Sequence, residues 1–264
     1  MSSPAVYIAK LGGGFIGFWR QRVLFLVFLK RALMTSLHRE SLNRATLNTI
    51  LKQVYFTAVQ VLPGFTFFTL IFSAILIHII VTTARDFGLE SYAPGLIVDV
   101  LVWELLPLLT ALFIALRSGA AINTEVALMK INNELDALQA CGIDPIRFEL
   151  APRIIGGIIS VLALVAVASA FAFVLGYFAV NGWHWRDVTG FTAAIGHSVS
   201  VAALIGLWLK CAVFGIIITA VPIAAGMDAP KKLFFAPIAV LSGMMRVFFA
   251  IMVVEVLALL LKTI

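Results

Sequence analysis

The sequence predicts an all-α integral membrane protein: an N-terminal amphipathic helix in the interface, five transmembrane helices, and a folded cytoplasmic loop between the second and third. Three observations predict it. Hydrophobic residues make up 62% of the 264 residues, and the mean hydropathy is +1.08. Charged residues make up only 12%, about half the share usual in soluble domains. The apolar residues gather in long runs, and at about 20 residues per span the chain holds about five or six.

Residues 1–60 carry Lys10, Arg20, Arg22, Lys30, Arg31, Arg39, Arg44 and Lys52 against one acid, Glu40. The apolar run Val23–Leu29 is too short to span and ends abruptly at Lys30–Arg31. No small-x-small cleavage site follows it. It reads as a helix lying in the interface, with Phe15, Phe18, Trp19, Leu24 and Phe28 dipping into lipid.

The first span is placed at about 61–83, followed by a short charged connection with Arg85, Asp86 and Glu90. The second, about 93–116, contains Asp99, Glu104 and Pro107. A long loop, 117–153, precedes an uncharged third span at about 154–180. Trp183, His184, Trp185 and Arg186 then mark a membrane surface. The fourth span, about 198–225, is interrupted by Lys210, and a turn with Asp228, Lys231 and Lys232 follows. The fifth, about 234–261, contains Arg246 and Glu255. The basic N-terminal segment sets the N-terminus in the cytoplasm. The second-to-third loop is then cytoplasmic and the C-terminus faces the periplasm.

Asp99, Glu104, Lys210, Arg246 and Glu255 stand inside apolar runs. At a lipid-exposed helix centre each costs about 3 kcal/mol, roughly 15 together. Either they line a polar path, or they snorkel or pair with one another. Asp99 and His78 fall near the outer surface, where an interfacial role suffices. Arg246 and Glu255 are nine residues apart, so they point to opposite faces of one helix and each needs a partner elsewhere.

The long loop has internal structure. In Asn133-Glu134-Leu135-Asp136-Ala137-Leu138-Gln139-Ala140-Cys141-Gly142, Asn132 or Asn133 can cap a short helix and Gly142 can end it. Asp144 is a good N-cap and Pro145 a good first helical residue, so a second helix starts there. The corner offers Leu135, Leu138, Ile143 and Ile146 beside Glu134, Asp136, Asp144 and Arg147. A solvated connection needs far fewer residues. An acidic-apolar corner suits a groove on a partner protein.

Other chemistries find no support. There is no phosphate-binding G-x-x-x-x-G-K-[ST] and no H-E-x-x-H or G-x-S-x-G motif. Cys141 and Cys211 lie far apart and outside any CxxC, and His38, His78, His184 and His197 are scattered. The formal charge of +6 is concentrated near the N-terminus, which argues for anionic lipid rather than nucleic acid.

Glu104-Leu105-Leu106-Pro107, Arg117-Ser118-Gly119-Ala120-Ala121, Glu125, Met129, Glu134-Leu135-Asp136-Ala137-Leu138, Gly142-Ile143-Asp144-Pro145 and Pro152-Arg153 follow in an order that resembles the MlaE/YrbE permeases. Gly206-Leu207-Trp208-Leu209-Lys210 with Phe214-Gly215 is similar to that family's fourth span. Two features depart or shift: the glycine-rich segment before the last span is reduced to Gly226-Met227-Asp228-Ala229-Pro230, and the acid of the last span stands as Glu255.

The resemblance implies the permease subunit of an ATP-driven ABC transporter that moves phospholipid or a related lipid. It further implies a homodimer in the bacterial inner membrane, a cytoplasmic ABC ATPase dimer and a periplasmic MCE-domain protein. Glu134, Leu135, Asp136, Ala137, Leu138, Gly142, Asp144, Pro145 and Arg147 would form the coupling-helix region against the ATPase. No cofactor would be bound by this chain, since ATP and magnesium belong to the ATPase. Glu104, Lys210, Arg246 and Glu255 are the candidate polar lining of the lipid path. Two rivals remain: an ion-coupled secondary transporter using the intramembrane carboxylates, and a lipid-modifying membrane enzyme. Neither internal repeats for the first nor a catalytic cluster for the second is visible.

Overall fold

The computed structural model describes residues 27–32, 34, 44–182, 188–196, 198–231, 234 and 236–263. Five helices are long and apolar enough to cross a membrane. With the shorter ones they run α1 (Thr46–Asp86), α2 (Glu90–Ile131), α3 (Glu134–Ala140), α4 (Ile146–Asn181), α5 (Val188–Gly196), α6 (Val201–Asp228) and α7 (Ala236–Thr263). Each expected span corresponds to one of the five long helices. No strand occurs among the described residues.

Helix α6 is the hub, packed against α2, α4 and α7, while α1 packs on another side of α4. The α4–α6 crossing is close because both helices present glycine there. A Cβ on Gly215 would stand 2.6 Å from Ile158 Cα, and one on Gly157 would meet the Thr219 methyl. Without a hydrophobic drive between spans in lipid, such small-residue contact lets backbones approach and gain dispersion energy. Helix α7 buries one narrow stripe, Met244, Val247, Ile251 and Glu255, and leaves Leu241, Met245 and Phe249 exposed. At 100° per residue these are the two flanks of one helix.

The long helices run beyond the expected spans. The first long helix begins at Thr46, not near Val61, so residues 46–60 belong to it. The expected 117–153 loop is mostly helix: α2 continues to Ile131 and the next long helix starts at Ile146. Arg117 looked like a span end, but its Nη1 donates to Phe56 O on α1 at 3.0 Å. Arg153 looked like the other end, yet its side chain is 11% exposed and bridges Glu125 on α2 at 2.8 Å and Glu149 at 2.6 Å. Charge alone marks a boundary only when no partner lies alongside.

Phe28 does not dip into lipid. It is buried in a cluster with Ile122, Leu150, Ile154 and Ile223. Phe15, Phe18, Trp19 and Leu24, and the aromatic segment Trp183–Arg186, lie outside the described residues.

Candidate functional site

Two polar constructions stand out, and they lie toward opposite ends of the bundle. The first is the corner between α2 and α4. Helix α3 ends in a Schellman motif: Ile143 N donates to Leu138 O at 3.0 Å and Gly142 N to Gln139 O at 2.9 Å. Gly142 has φ +75°, which glycine adopts without steric penalty. Asp144 then caps the next helix, its Oδ1 accepting from Ile146 N at 3.1 Å. Pro145 follows, where its missing amide leaves no unmet donor.

The start of α3 is built differently from the expectation. Asn133 is in the left-handed region at φ 59° and its side chain does not cap the helix. Asn132 Nδ2 instead donates to Glu134 at 3.1 Å, and Asn133 Oδ1 accepts from Lys231 Nζ at 2.7 Å.

Lys231 also pairs with Asp136 at 2.7 Å, and Lys130 Nζ donates to Met227 O. The α6–α7 connection therefore grips the corner, a tie no local signal announced. Arg31 reaches Asp144 at 3.0 Å. No residue of α3 is buried: Glu134, Asp136 and Ala137 are exposed, Leu135 and Leu138 half-buried. Ile143 is exposed, Arg147 is half-buried, and Pro145 is buried, so Pro145 shapes the corner rather than surfacing it.

The second construction is a charge cluster inside the bundle. Lys210 on α6 pairs with Glu104 on α2 at 2.6 Å and with Glu255 on α7 at 2.9 Å. Lys262 at the end of α7 reaches the other oxygen of Glu104 at 3.0 Å. The two lysines balance the two glutamates. Lys210 stands nine residues from the start of α6, about 14 Å along its axis.

Lys210 Nζ also donates to Trp103 O, four residues before Pro107, at 3.4 Å. The helix around Glu104 is widened by one residue per hydrogen bond over Ile97–Leu105, a distortion often found at functional sites. Glu255 Oε2 is buried without a hydrogen-bond partner among the described residues. At the neighbouring helix ends, Ser198 Oγ donates to Asp99 at 3.1 Å and Trp103 Nε1 to Ser198 O at 3.1 Å.

Of the four expected lining residues, three converge: Glu104, Lys210 and Glu255. Arg246 does not. It faces Asp228 at 3.8 Å, and both side chains are about half exposed. As the helical spacing required, Arg246 and Glu255 have separate partners. The sequence reading missed Lys262 in the cluster and Glu125, Glu149 and Lys231 at the corner. Only the i,i+4 spacing of Glu149 and Arg153 offered a signal.

A bundle of five apolar spans, with an exposed polar corner on one end and a buried charge cluster toward the other, is the architecture of a polytopic membrane protein. The family described as Permease MlaE matches residues 50–261, and the chain belongs to that family. It is an ABC transporter permease. It is 30% identical over 187 residues to a probable ABC transporter permease protein of Rickettsia felis, covering 70% of this chain and 71% of that one. A probable ABC transporter permease protein of Rickettsia typhi is 29% identical over 186 residues, with the same coverage. The intermembrane phospholipid transport system permease protein MlaE of Haemophilus influenzae is 31% identical over 144 residues, 54% of this chain and 55% of that one.

Proposed function

We propose that this chain is the membrane subunit of an ATP-driven transporter carrying phospholipid or a related lipid between the inner membrane and the periplasmic side. Family membership over residues 50–261, together with the phospholipid-transport relative, is the observation that carries it. In this reading two copies pair in the inner membrane with N-termini in the cytoplasm and C-termini in the periplasm. A separate ATPase dimer, which holds ATP and magnesium, meets the corner Glu134–Arg147. An MCE-domain protein continues the lipid path on the other face.

The geometry supports a transmission between the corner and the cluster. The Schellman end and the Asp144 cap make the corner stiff. Arg153 ties its base to α2 through Glu125, and Lys231 ties its tip to the α6–α7 connection. A push on α3 therefore reaches α2, α4, α6 and α7 together. Helices α2, α6 and α7 are the three that hold Glu104, Lys210 and Glu255. A change in their spacing would open the cluster and present its charges to a lipid headgroup, while the apolar walls accept the tails. Arg246 has no part in that cluster.

Charge reversal at Glu134 tests the corner more cleanly than reversal at Asp136, which also holds Lys231. Glu134→Lys should abolish copurification of the ATPase while leaving the permease folded. Unchanged copurification together with unchanged lipid-stimulated ATP hydrolysis would sink the assignment. The unpartnered Glu255 oxygen favours one second reading, a proton-coupled carrier. Uptake into vesicles under a proton gradient without any ATPase would establish that reading instead.

A further inference from the structure

We infer that the cleft between the end of α6 and the first turns of α7 binds a phospholipid headgroup phosphate through the Arg246 guanidinium. The cleft measures about 190 Å³, and Ala225, Asp228, Ala229, Ala239, Ser242 and Arg246 are among the residues that line it. One water needs only about 10–15 Å³ of such space, so the cleft takes a larger group.

Four observations point to phosphate. Arg246 sits inside an apolar span, yet its side chain is 51% exposed. An arginine facing lipid alone is costly, so such a residue marks a partner or a polar cavity. Asp228 is the ion-pair partner of Arg246, but at 3.8 Å the contact is too long for a hydrogen bond, and no hydrogen bond of Arg246 occurs among the described residues. A guanidinium carries five donors in a fork that fits phosphate.

Direction and depth also agree. Side chains on a helix lean toward its N-terminus, so Arg246 leans back toward Ser242 and the corner end. Ser242 is five residues into the long apolar stretch Pro237–Lys262, about 8 Å along the axis, close to where the polar headgroups of a bilayer begin.

A snorkelling arginine explains the depth but not the cleft. The small side chains Ala225, Ala229, Ala239 and Ser242 open a space directly beside the guanidinium. On the outer flank of α7, Ile238 and Phe249 stay exposed and offer a bed for an acyl chain. The cleft is separate from the Lys210 cluster, and the inference stands on membrane embedding, independent of whether the chain transports lipid.

The full chain, purified in a detergent without phosphate, is loaded with dioleoyl phosphatidylglycerol, and retained lipid is counted by native mass spectrometry. Dioleoylglycerol, which lacks the phosphate, and millimolar inorganic phosphate serve as the other probes. Wild-type protein should retain the phospholipid about tenfold better than dioleoylglycerol. Arg246→Gln should retain one phospholipid fewer. Ser242→Leu, which keeps the charge and fills the space, should lose the same one. Both variants should keep the wild-type melting temperature to within a few degrees and the wild-type oligomeric state. If either well-folded variant retains the wild-type number of lipids, the site is refuted. Full displacement by inorganic phosphate would make it a free-anion site and overturn the lipid assignment. A shift in oligomeric state with unchanged lipid count would make the cleft a contact between copies, and would overturn it as well.

Discussion

At one end of the bundle, Lys231 and Asp136 pair in the open, their side chains 52% and 64% exposed; toward the other, Lys210 and Glu255 pair at 7% and 8%. The chemistry is the same, a lysine ammonium on a carboxylate at 2.7 and 2.9 Å. The energetics are not. An exposed pair contributes about 0–1 kcal/mol, because water solvates either partner almost as well. A buried pair repays a large desolvation penalty only while both partners stay, and losing one leaves an uncompensated charge. The corner can therefore change partners at little cost, which suits a surface that meets another protein. The cluster has to change as a unit, which suits a device held shut until several helices move.

The sharpest way to break this contrast is Lys210→Met. It strands Glu104 and Glu255 in the interior and should destabilise the folded protein by about 3–5 kcal/mol, read as loss of thermal stability in detergent. The triple variant Glu104→Gln/Lys210→Met/Glu255→Gln removes the three interior charges together and leaves only Lys262, whose side chain is half exposed and reaches water. It should regain most of that stability while still failing to move lipid. A triple variant as unstable as the single one would show that the cluster is not a balanced unit.

A smaller effect is expected at the corner's turn. Gly142→Ala places a Cβ at φ +75° and should cost about 1–2 kcal/mol, local to α3. Hydrogen exchange at Ile143 and Gly142, whose amides close the Schellman turn, should quicken. Exchange at Lys210 should not change. The smallest effect belongs to Lys231→Met, at under about 1 kcal/mol of stability. Its signature is functional: with the α6–α7 tie cut, ATP hydrolysis should lose its response to lipid while the ATPase still copurifies. A stimulated rate equal to wild type would remove Lys231 from the transmission.

The same contrast explains what the sequence made legible. The corner was readable because its signals are local. Gly142 as a helix stop and Asp144-Pro145 as a helix start depend on neighbours within four residues, and both stand as read. Composition likewise gave the five spans. The cluster was not readable as a cluster, because Glu104, Lys210, Glu255 and Lys262 come from three helices and meet only through packing. The spacing of Arg246 and Glu255 did require separate partners, without naming them. The over-long loop had the same origin. Arg117 and Arg153 read as the ends of a loop, whereas both lie inside helices, where Phe56 O partners Arg117 and Glu125 and Glu149 partner Arg153.

If the corner meets the ATPase and the cluster does not, one measurement separates the two regions directly: the amount of ATPase recovered with the purified permease from two variants side by side. Glu134→Lys should lose the ATPase although the permease remains folded. The triple variant of the cluster, Glu104→Gln/Lys210→Met/Glu255→Gln, should recover it in wild-type amounts. The reverse pattern, with ATPase retained by Glu134→Lys and lost by the triple variant, would contradict the division of labour and place the partner contact elsewhere.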